Sequence, residues 1–370
     1  MTTISSISEL LTLSGSQYRI FDVGRKIDKI SKETFYKIEH NHVPYPYPIQ
    51  SHACFAVVFW QKESSQPFIW FIKCPLDEKG LLNLVARDHY IAIIIEALGS
   101  NITDTPSDKQ EELLKNNPYH FTPAQYKLAA LNSMVNAELK REMSQYYALF
   151  EQYVSGDMGW DNWHNIGVQG INDFATQISQ PNNAKILADS LPKLPEQVLK
   201  PLCIALESHT LPLVIINAVL KLLQNDDTSI DSKHHLLRSL SSTSTHPLVE
   251  QYIVSLLTLL NEISINDLIL YSGRLWTVLE NKQTLLSYFE AVAQKKDIAL
   301  FVELFKDLVA MPNIRPIVFQ VMRAPERSHA LALAIGHVMQ TTTTNSGINS
   351  QTNSQKKPQK KPQTNNNDSA

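Results

Sequence analysis

Glycine is scarce in this sequence: its 370 residues include only 11, where average usage of about 7% would give roughly 26. None of the 11 falls in a G-x-G-x-x-G or G-x-x-x-x-G-K-[ST] frame, so the two common glycine-dependent nucleotide-binding loops are absent. No serine lies in a G-x-S-x-G motif, which excludes that nucleophile elbow. Eight of the 11 glycines precede residue 171. A site that needs close approach of the backbone to a ligand is therefore expected before that residue.

Cysteine and long apolar runs are also scarce. The three cysteines, Cys54, Cys74 and Cys203, show no C-x-x-C spacing, which argues against a zinc ribbon or a disulfide framework. The first residues lack the basic and apolar regions of a signal peptide. The apolar runs are much shorter than the ~18 residues that span a bilayer. We therefore expect a cytoplasmic protein without a membrane span.

Positive charge is in slight deficit, with 33 Lys and Arg against 36 Asp and Glu and a net charge of −3. Residues 341–370 hold four lysines and one aspartate and carry +3, so the rest of the chain carries −6. An acidic body repels phosphate, which makes nucleic acid an unlikely partner.

Residues 1–100 show the mixed pattern of a small α+β sheet domain. Both faces of the strand His52–Trp60 are apolar, so the sheet is expected to be covered on both sides. The predicted strands are 18–23, 26–30, 52–60 and 67–73, and the predicted helices are 32–40 and 81–98.

Residues 101–190 are predicted to form a helical connector, with one helix running from about residue 122 to 154.

From 191 to 340 apolar-periodic stretches begin at intervals of 13 to 19 residues, at Pro195, Leu211, Ile230, Pro247, Ser264, Lys282, Asp297, Asn313 and Glu326. Helix pairs thus recur at about 33–36 residues, which approximates HEAT-type spacing. The sequence predicts an all-α HEAT-like repeat domain, an α-solenoid, in which stacked pairs share a core. Residues 341–370 are low in complexity and are predicted to be disordered.

Three histidines close together in the sequence are candidate metal ligands. His40, His42 and His52 lie within thirteen residues, but His-x-His without a third ligand on a defined element is a weak zinc pattern. We interpret them as surface histidines and predict no metal or other cofactor.

Charged residues cluster near the predicted strand ends: Asp22, Arg25, Lys73, Asp77 and Arg87. Such groups can converge on a cleft and bind a small ligand or carry out acid–base chemistry. The simpler interpretation is two structural ion pairs, Asp22 with Arg25 and Asp77 with Arg87, which we favour because such pairs outnumber active sites.

Four aromatic residues suit a protein interface. Tyr45 and Tyr47 are separated by prolines in an extended segment, and Trp160 and Trp163 follow a glycine-flanked turn. Such side chains are typical anchors of interfaces. The alternative is that they pack the sheet domain against the helical region, which is the more common role of tryptophan.

Several segments resemble a known family. They are Phe21-Asp22-Val23-Gly24-Arg25, Pro44-Tyr45-Pro46-Tyr47-Pro48, Pro67-Phe68-Ile69-Trp70-Phe71-Ile72-Lys73, Pro75-Leu76-Asp77-Glu78, Gly159-Trp160 and Val168-Gln169-Gly170-Ile171. In this order and spacing they resemble a bacterial family of unknown function, DUF3549, over residues 1–340. The resemblance implies a bacterial cytoplasmic protein and assigns no activity, ligand or catalytic residue.

Three functional hypotheses follow from the sequence. The first is a non-enzymatic scaffold or adaptor that binds a protein partner on its helical repeat surface. The second is an enzyme or small-ligand sensor with its site at the strand ends. The third is a nucleic-acid-associated protein that uses the lysine-rich tail.

Overall fold

The computed structural model describes residues 4–61, 66–99, 102, 107–259 and 263–352, the last twelve as backbone only. The strands are β1 Gln17–Asp22, β2 Asp28–Ile30, β3 His52–Trp60 and β4 Phe68–Pro75. The helices around the sheet are α1 Ile7–Leu13, α2 Lys32–Glu39, α3 Leu84–Leu98 and α4 Asp108–Lys115. They are followed by α5 Gln125–Glu138, α6 Tyr146–Val154, α7 Val168–Thr176, α8 Pro181–Ser190, α9 Glu196–Leu206, α10 Leu213–Leu223, α11 Ile230–Ser239, α12 Pro247–Thr258, α13 Ile265–Gly273, α14 Lys282–Gln294, α15 Ile298–Ala310, α16 Arg315–Met322 and α17 His329–Thr352.

The four strands form one antiparallel sheet in the order β2-β1-β3-β4. Phe55 and Phe59 of β3 pack in a core with residues of α1, α2 and α3. Val58, on the opposite face, packs with Leu131 and Val135 of α5. The four predicted strands and the burial of both sheet faces are confirmed. The prediction succeeds because successive side chains along a strand point to opposite faces, and the side chains of β3 on both faces are apolar.

The helix predicted from residue 122 to 154 is wrong, since α5 and α6 are separated by residues 139–145. Lys140 has a φ of 54° there, a left-handed conformation that ends a helix. The turn is also held from a distance, because Asp173 of α7 accepts hydrogen bonds from Ser133 and Ser144.

The helices of the C-terminal region begin where the periodicity predicts. All nine predicted starting points lie within three residues of an observed first residue, from Pro195 against Glu196 to Glu326 against His329. Local signals explain this agreement: the side chains of Ser229 and Ser264 cap α11 and α13, and Pro247 opens α12.

Helices from α5 onward pack in two rows. The odd-numbered helices α5 to α17 contact one another in sequence, and so do the even-numbered helices α6 to α16. One continuous apolar core runs from Phe150 in α6 to Val338 in α17. Each helix therefore packs against the helix two positions further along the chain.

Hydrogen bonds between successive helix pairs have a regular sequence separation. The Ser242 hydroxyl donates to the Glu207 carbonyl, 35 residues away, at 2.7 Å. The Ser241 hydroxyl donates to the Arg274 carbonyl, 33 residues away, at 2.6 Å. These separations fall within the interval of 33–36 residues that the apolar periodicity predicts, and both bonds join the residues that follow the C-terminal ends of odd-numbered helices.

The last helix, α17, extends to Thr352, beyond the predicted boundary at residue 341. Residues 353–370, where most of the tail predicted to be disordered lies, are outside the described residues. Within the described ranges, no helix combines the length and hydropathy that crossing a membrane requires.

Candidate functional site

The turn between β1 and β2, residues 23–27, lies against the C-terminal ends of α9, α11, α13 and α15. The Ile27 amide donates to the Ser208 hydroxyl after α9 at 3.2 Å. The Lys26 ammonium donates to the Ser242 hydroxyl after α11 at 3.1 Å. Within the turn, a Cβ added at Gly24 would lie 3.3 Å from side-chain atoms of Cys54 and Ile49. We call this region the domain junction.

Arg25 extends from the turn into the helical region and is 3% exposed. Its guanidinium group forms two hydrogen bonds with the Asp307 carboxylate of α15, at 2.6 and 3.0 Å. It also donates to the carbonyls of Pro48 and Ser272 and lies 5.5 Å from the ring centroid of Trp276. A planar group with five donors suits this combination of acceptors and aromatic face.

Asp22, at the end of β1, is fully buried. Its carboxylate accepts a 2.6 Å hydrogen bond from the Tyr45 hydroxyl and a 3.2 Å bond from the Arg25 amide. Burial raises the pKa of Asp22 to about 7, although Tyr45 and the ammonium of Lys127 oppose the shift. The predicted ion pair between Asp22 and Arg25 is therefore wrong, because the Arg25 guanidinium turns to Asp307 instead.

Lys127 of α5 binds the other side of the turn, where its ammonium donates to the carbonyls of Val23 and Gly24. Burial lowers the pKa of this ammonium, although Asp22 raises it. Burial likewise lowers the pKa of Lys26. The junction thus concentrates buried charges whose roles are to hold a turn in place.

The other three residues of the predicted ligand site have separate hydrogen-bond partners or strand neighbours. Asp77 accepts from the amides of Lys79 and Leu81 in its own loop, and Arg87 of α3 donates to Asp88. The predicted pair of Asp77 with Arg87 is therefore wrong. Lys73 is half-buried and lies opposite Cys54 in the sheet. Among the hydrogen bonds of the described residues, none joins these three residues to Asp22 or Arg25.

The two tyrosines proposed as interface anchors have different environments. Tyr45 is fully buried with its hydroxyl on Asp22, so its ring is not presented to a partner. Tyr47 is half-buried, donates to Asp28 at 2.8 Å and lies 6.1 Å from the ring centroid of Trp276. Tyr47 therefore packs the sheet domain against the helical region.

Both proposed tryptophan anchors pack on the helical core. They lie in a 3₁₀ turn at residues 160–165 and are half-buried. The Trp160 carbonyl accepts a hydrogen bond from the Tyr153 hydroxyl at 2.9 Å. The indole ring of Trp160 lies over Gly156. Neither residue is fully buried.

A cleft opens between the pair α10–α11 and the pair α12–α13, away from the junction. It has a volume of about 370 Å³ and is lined by Leu223, Ile230, Lys233, His234, Leu237, Tyr252, Leu256, Leu259, Ile263 and Asp267. His234 and Asp267 face each other across it, with Nδ1 and Oδ1 3.1 Å apart. We call it the α11 cleft.

Exposed isoleucines open three odd-numbered helices. Ile230, Ile265 and Ile298 are the first residues of α11, α13 and α15, and are 80%, 44% and 39% exposed. Because α13 packs between α11 and α15, these side chains follow one another along the same edge of the helical region. We call them the isoleucine row.

A family model described as "Protein of unknown function (DUF3549)" matches residues 2–339. The chain belongs to the DUF3549 family. No curated protein and no solved structure matches it. The resemblance drawn from the sequence motifs is thereby confirmed, and it places nearly all of the described chain within DUF3549.

The motifs that resemble DUF3549 occupy crowded positions in the fold. Asp22 and Arg25 hold the domain junction, and Gly170 packs so closely that an added Cβ would lie 2.5 Å from the Tyr146 carbonyl oxygen. These three residues therefore have structural contacts within this DUF3549 chain.

The described part of this DUF3549 chain contains no group of three or more His, Cys, Asp or Glu placed to share a metal ion. All three cysteines are buried and free. Burial raises the pKa of Cys54 to about 11 and those of Cys74 and Cys203 to about 12. They are therefore thiols at neutral pH and poor nucleophiles.

Glu207 is a residue of the DUF3549 fold that the motif search missed. It is buried at the end of α9 and accepts from Arg238 and Arg274, which lie 31 and 67 residues further along the chain. A partial signal existed: Pro-Leu-Val recurs at 212–214 and 247–249, and Ser242, in the Ser- and Thr-rich segment before the second copy, donates to the Glu207 carbonyl.

Proposed function

We propose that this protein is a non-enzymatic adaptor whose helical region is a HEAT-like α-solenoid that binds a protein partner. The solenoid assignment is supported by the two rows of helices, by the hydrogen bonds at 31–35 residues and by the continuous core. A stack of helix pairs that share a core is the arrangement of this class of fold.

The isoleucine row carries the proposal. The C-terminal ends of α9, α11, α13 and α15 are occupied by the sheet domain through Ser208, Ser242, Ser272 and Asp307. The N-terminal ends lie a helix length away, about 15–20 Å at 1.5 Å per residue. There the row exposes one large apolar side chain on each of three neighbouring helices, at spacings of 35 and 33 residues, and we infer that a protein partner buries these side chains together.

The environment of the titratable groups favours binding over catalysis. Asp22, the carboxyl group with a pKa near neutrality, is fully buried against Tyr45 and the backbone of its own turn. A catalytic acid must reach a substrate, whereas this one contacts only residues that hold the junction.

Site-specific photocross-linking in cells tests the proposal. A photoreactive amino acid replaces Ile230, Ile265 or Ile298 one at a time, and replaces Leu13 of the sheet domain, which is 64% exposed, as the matched control. We expect one and the same protein to be cross-linked from at least two positions of the row and not from Leu13. Products that are absent from the row, or equally abundant from Leu13, contradict the proposal.

A further inference from the structure

A cavity of about 180 Å³ lies beside β4, the edge strand of the sheet, where α3 and α4 cover it. Its apolar wall includes Trp70 of β4, Ile94 of α3 and Leu114 of α4. A cavity of about 150 Å³ accommodates a benzene molecule, so this one has room for a compound of about six to ten non-hydrogen atoms. We call it the β4-edge cavity.

Tyr90 of α3 lines this cavity with an unpartnered hydroxyl group. The residue is 3% exposed, and its ring packs against Trp70 in a T-shaped arrangement with centroids 6.2 Å apart. The hydroxyl forms no hydrogen bond with any residue that the structure describes, although buried tyrosine hydroxyls usually have a partner. The enclosed side-chain atoms without a partner in the described ranges are Asn41 Oδ1 and His235 Nδ1. The Tyr90 oxygen is not one of them, so it retains accessible surface in the cavity that the residue lines.

Asn117 presents a second donor to the same cavity. It is 6% exposed, and its Oδ1 accepts a hydrogen bond from the Tyr119 amide at 2.9 Å. That bond identifies Nδ2 as the end of the side chain left for another partner. Nδ2 forms no hydrogen bond with the described residues and is not an enclosed atom. Because buried polar groups normally have partners, two unpartnered donors on one cavity wall indicate a ligand that accepts hydrogen bonds.

The backbone of β4 limits the size of that ligand. The Lys73 amide donates to the Tyr119 carbonyl at 2.7 Å, on the side away from β3. Backbone groups alternate in direction along a strand, so the N–H and C=O of Phe71, which lines the cavity, point to the same side. The bridge between Ile72 and His120 occupies the edge immediately beyond Phe71. A peptide strand therefore cannot continue along β4 past the cavity, whereas a small molecule fits beside it.

The charges at the cavity favour a neutral ligand. Glu111 and Lys115, one turn apart on α4, form an ion pair at 3.1 Å. Burial raises the pKa of the Tyr90 hydroxyl, so this group is a neutral donor at physiological pH. The remaining ionisable lining residue, His120, is exposed. A charged ligand would lose water without gaining a buried partner of opposite charge, which is unfavourable.

We propose that the β4-edge cavity binds a small neutral carbonyl compound with an apolar body, which accepts hydrogen bonds from the Tyr90 hydroxyl and the Asn117 side chain. A carbonyl oxygen has two lone pairs and can accept from both donors. The apolar body lies against Trp70, Ile94 and Leu114. This site belongs to the sheet domain, whereas the isoleucine row lies on α11, α13 and α15, so the inference does not depend on the adaptor function.

Fluorine NMR with the full-length chain tests this inference. The probe is para-fluorobenzamide, which has a planar apolar body and one carbonyl group. Two matched compounds are para-fluorotoluene, which lacks the carbonyl, and para-fluorobenzoate, which carries a negative charge. Titration gives each Kd. We expect a Kd on the order of 1 mM or below for para-fluorobenzamide, as its size allows, and binding at least about tenfold weaker for the benzoate because its charge finds no partner.

Tyr90→Phe removes the hydroxyl group and keeps the ring. It is expected to weaken para-fluorobenzamide binding about three- to tenfold, the effect of one neutral hydrogen bond, and to leave para-fluorotoluene binding unchanged. Tyr119→Phe is the matched control, because the Tyr119 hydroxyl is bonded to His89 at 3.1 Å and Tyr119 does not line the cavity. Its affinities are expected to equal those of the wild type.

Leu114→Trp fills the cavity and is expected to abolish binding of para-fluorobenzamide and para-fluorotoluene. Leu113→Trp, at the exposed neighbouring position on α4, is expected to leave both Kd values unchanged. Circular dichroism checks that each variant is folded. The inference is overturned by an absence of saturable para-fluorobenzamide binding, by equal affinity of wild type and Tyr90→Phe, or by equal effects of Leu113→Trp and Leu114→Trp. Cross-linking from the isoleucine row tests the adaptor function independently of these results.

Discussion

The guanidinium group of Arg25 and the carboxylate of Asp307 are joined by two hydrogen bonds, although 282 residues separate them in the chain. Arg25 is 3% exposed and the Asp307 side chain is 30% exposed. Loss of the carboxylate would leave a buried cation with only two carbonyls and an aromatic face.

We expect Asp307→Ala to lower the free energy of unfolding by about 2–4 kcal/mol, because removing one partner of a buried ion pair leaves the other uncompensated. Urea denaturation of the full chain measures the change. Lys306→Ala, at the residue before Asp307 on α15, removes a surface pair with Glu303 and is expected to cost less than about 1 kcal/mol. Additive effects of Arg25→Ala and Asp307→Ala in a double-mutant cycle would show that the two side chains are not coupled.

Asp22 gives the stability a distinctive pH dependence. Its pKa rises from 3.8 to about 7 on folding, so between these values the folded state retains a proton that the unfolded state has lost. The contribution of Asp22 to stability is therefore full below pH 3.8 and is lost as the pH rises through about 7. At 1.36 kcal/mol per pH unit, the loss is at most about 4 kcal/mol.

Asp22→Asn removes this titration. The difference in unfolding free energy between variant and wild type is expected to move in favour of the variant as the pH rises from 4 to 8, measured by urea denaturation at each pH. His209 supplies a control of opposite sign, since burial lowers its pKa to about 4. The unfolded state therefore binds more protons at this residue, and the contribution of His209 to the free energy of unfolding increases as the pH rises from about 4 to 6.5. A difference for Asp22→Asn that is constant with pH would show that Asp22 does not titrate there.

Gly170 is expected to tolerate no side chain. Its added Cβ would lie 2.5 Å from the Tyr146 carbonyl oxygen, so α6 and α7 would have to move apart. We expect Gly170→Ala to lower stability by about 2 kcal/mol or more, as overpacking in close-packed interiors does. Gly273→Ala is the control, because nothing lies within 4 Å of its added Cβ and alanine favours a helix by up to about 1 kcal/mol. Equal thermal midpoints for the two variants would contradict this prediction.

Glu207 binds arginines from two later helix pairs. Glu207→Gln is expected to cost about 2–4 kcal/mol, because Arg238 and Arg274 lose their shared carboxylate in a partly buried site. Hydrogen exchange of α9, α11 and α13 is expected to accelerate together. Glu303→Gln, an exposed residue of α15, serves as the control and is expected to be near neutral. Faster exchange confined to α9 would show that Glu207 does not couple the three helices.

Local signals explain what the sequence predicts well. Strand alternation, helix caps such as Ser229 and opening prolines such as Pro247 act within a few residues, so element types and helix starts follow from the sequence. The break between α5 and α6 does not follow from the local sequence. It is held by hydrogen bonds from Ser133 and Ser144 to Asp173, which lies 40 and 29 residues away from them.

The candidate site shows the same limit. Asp22 and Arg25 lie three positions apart in one motif, and an ion pair between their side chains is the natural local expectation. Their partners come instead from Tyr45 and from Asp307, 23 and 282 residues away. Charge pairing across a domain junction depends on how two folded parts dock, which neither composition nor periodicity contains.

The domain junction has a mechanical consequence. A single turn of residues 23–27 is bonded at Ser208, Ser242, Ser272 and Asp307, points that span a hundred residues of stacked helices. In a stack of helices that no other part of the chain bridges, each helix pair can tilt relative to the next helix pair. Here one turn of the sheet domain is bonded to α9, α11, α13 and α15 or to the residues that follow them. A tilt of one of these helices relative to the others would therefore strain hydrogen bonds of the same turn.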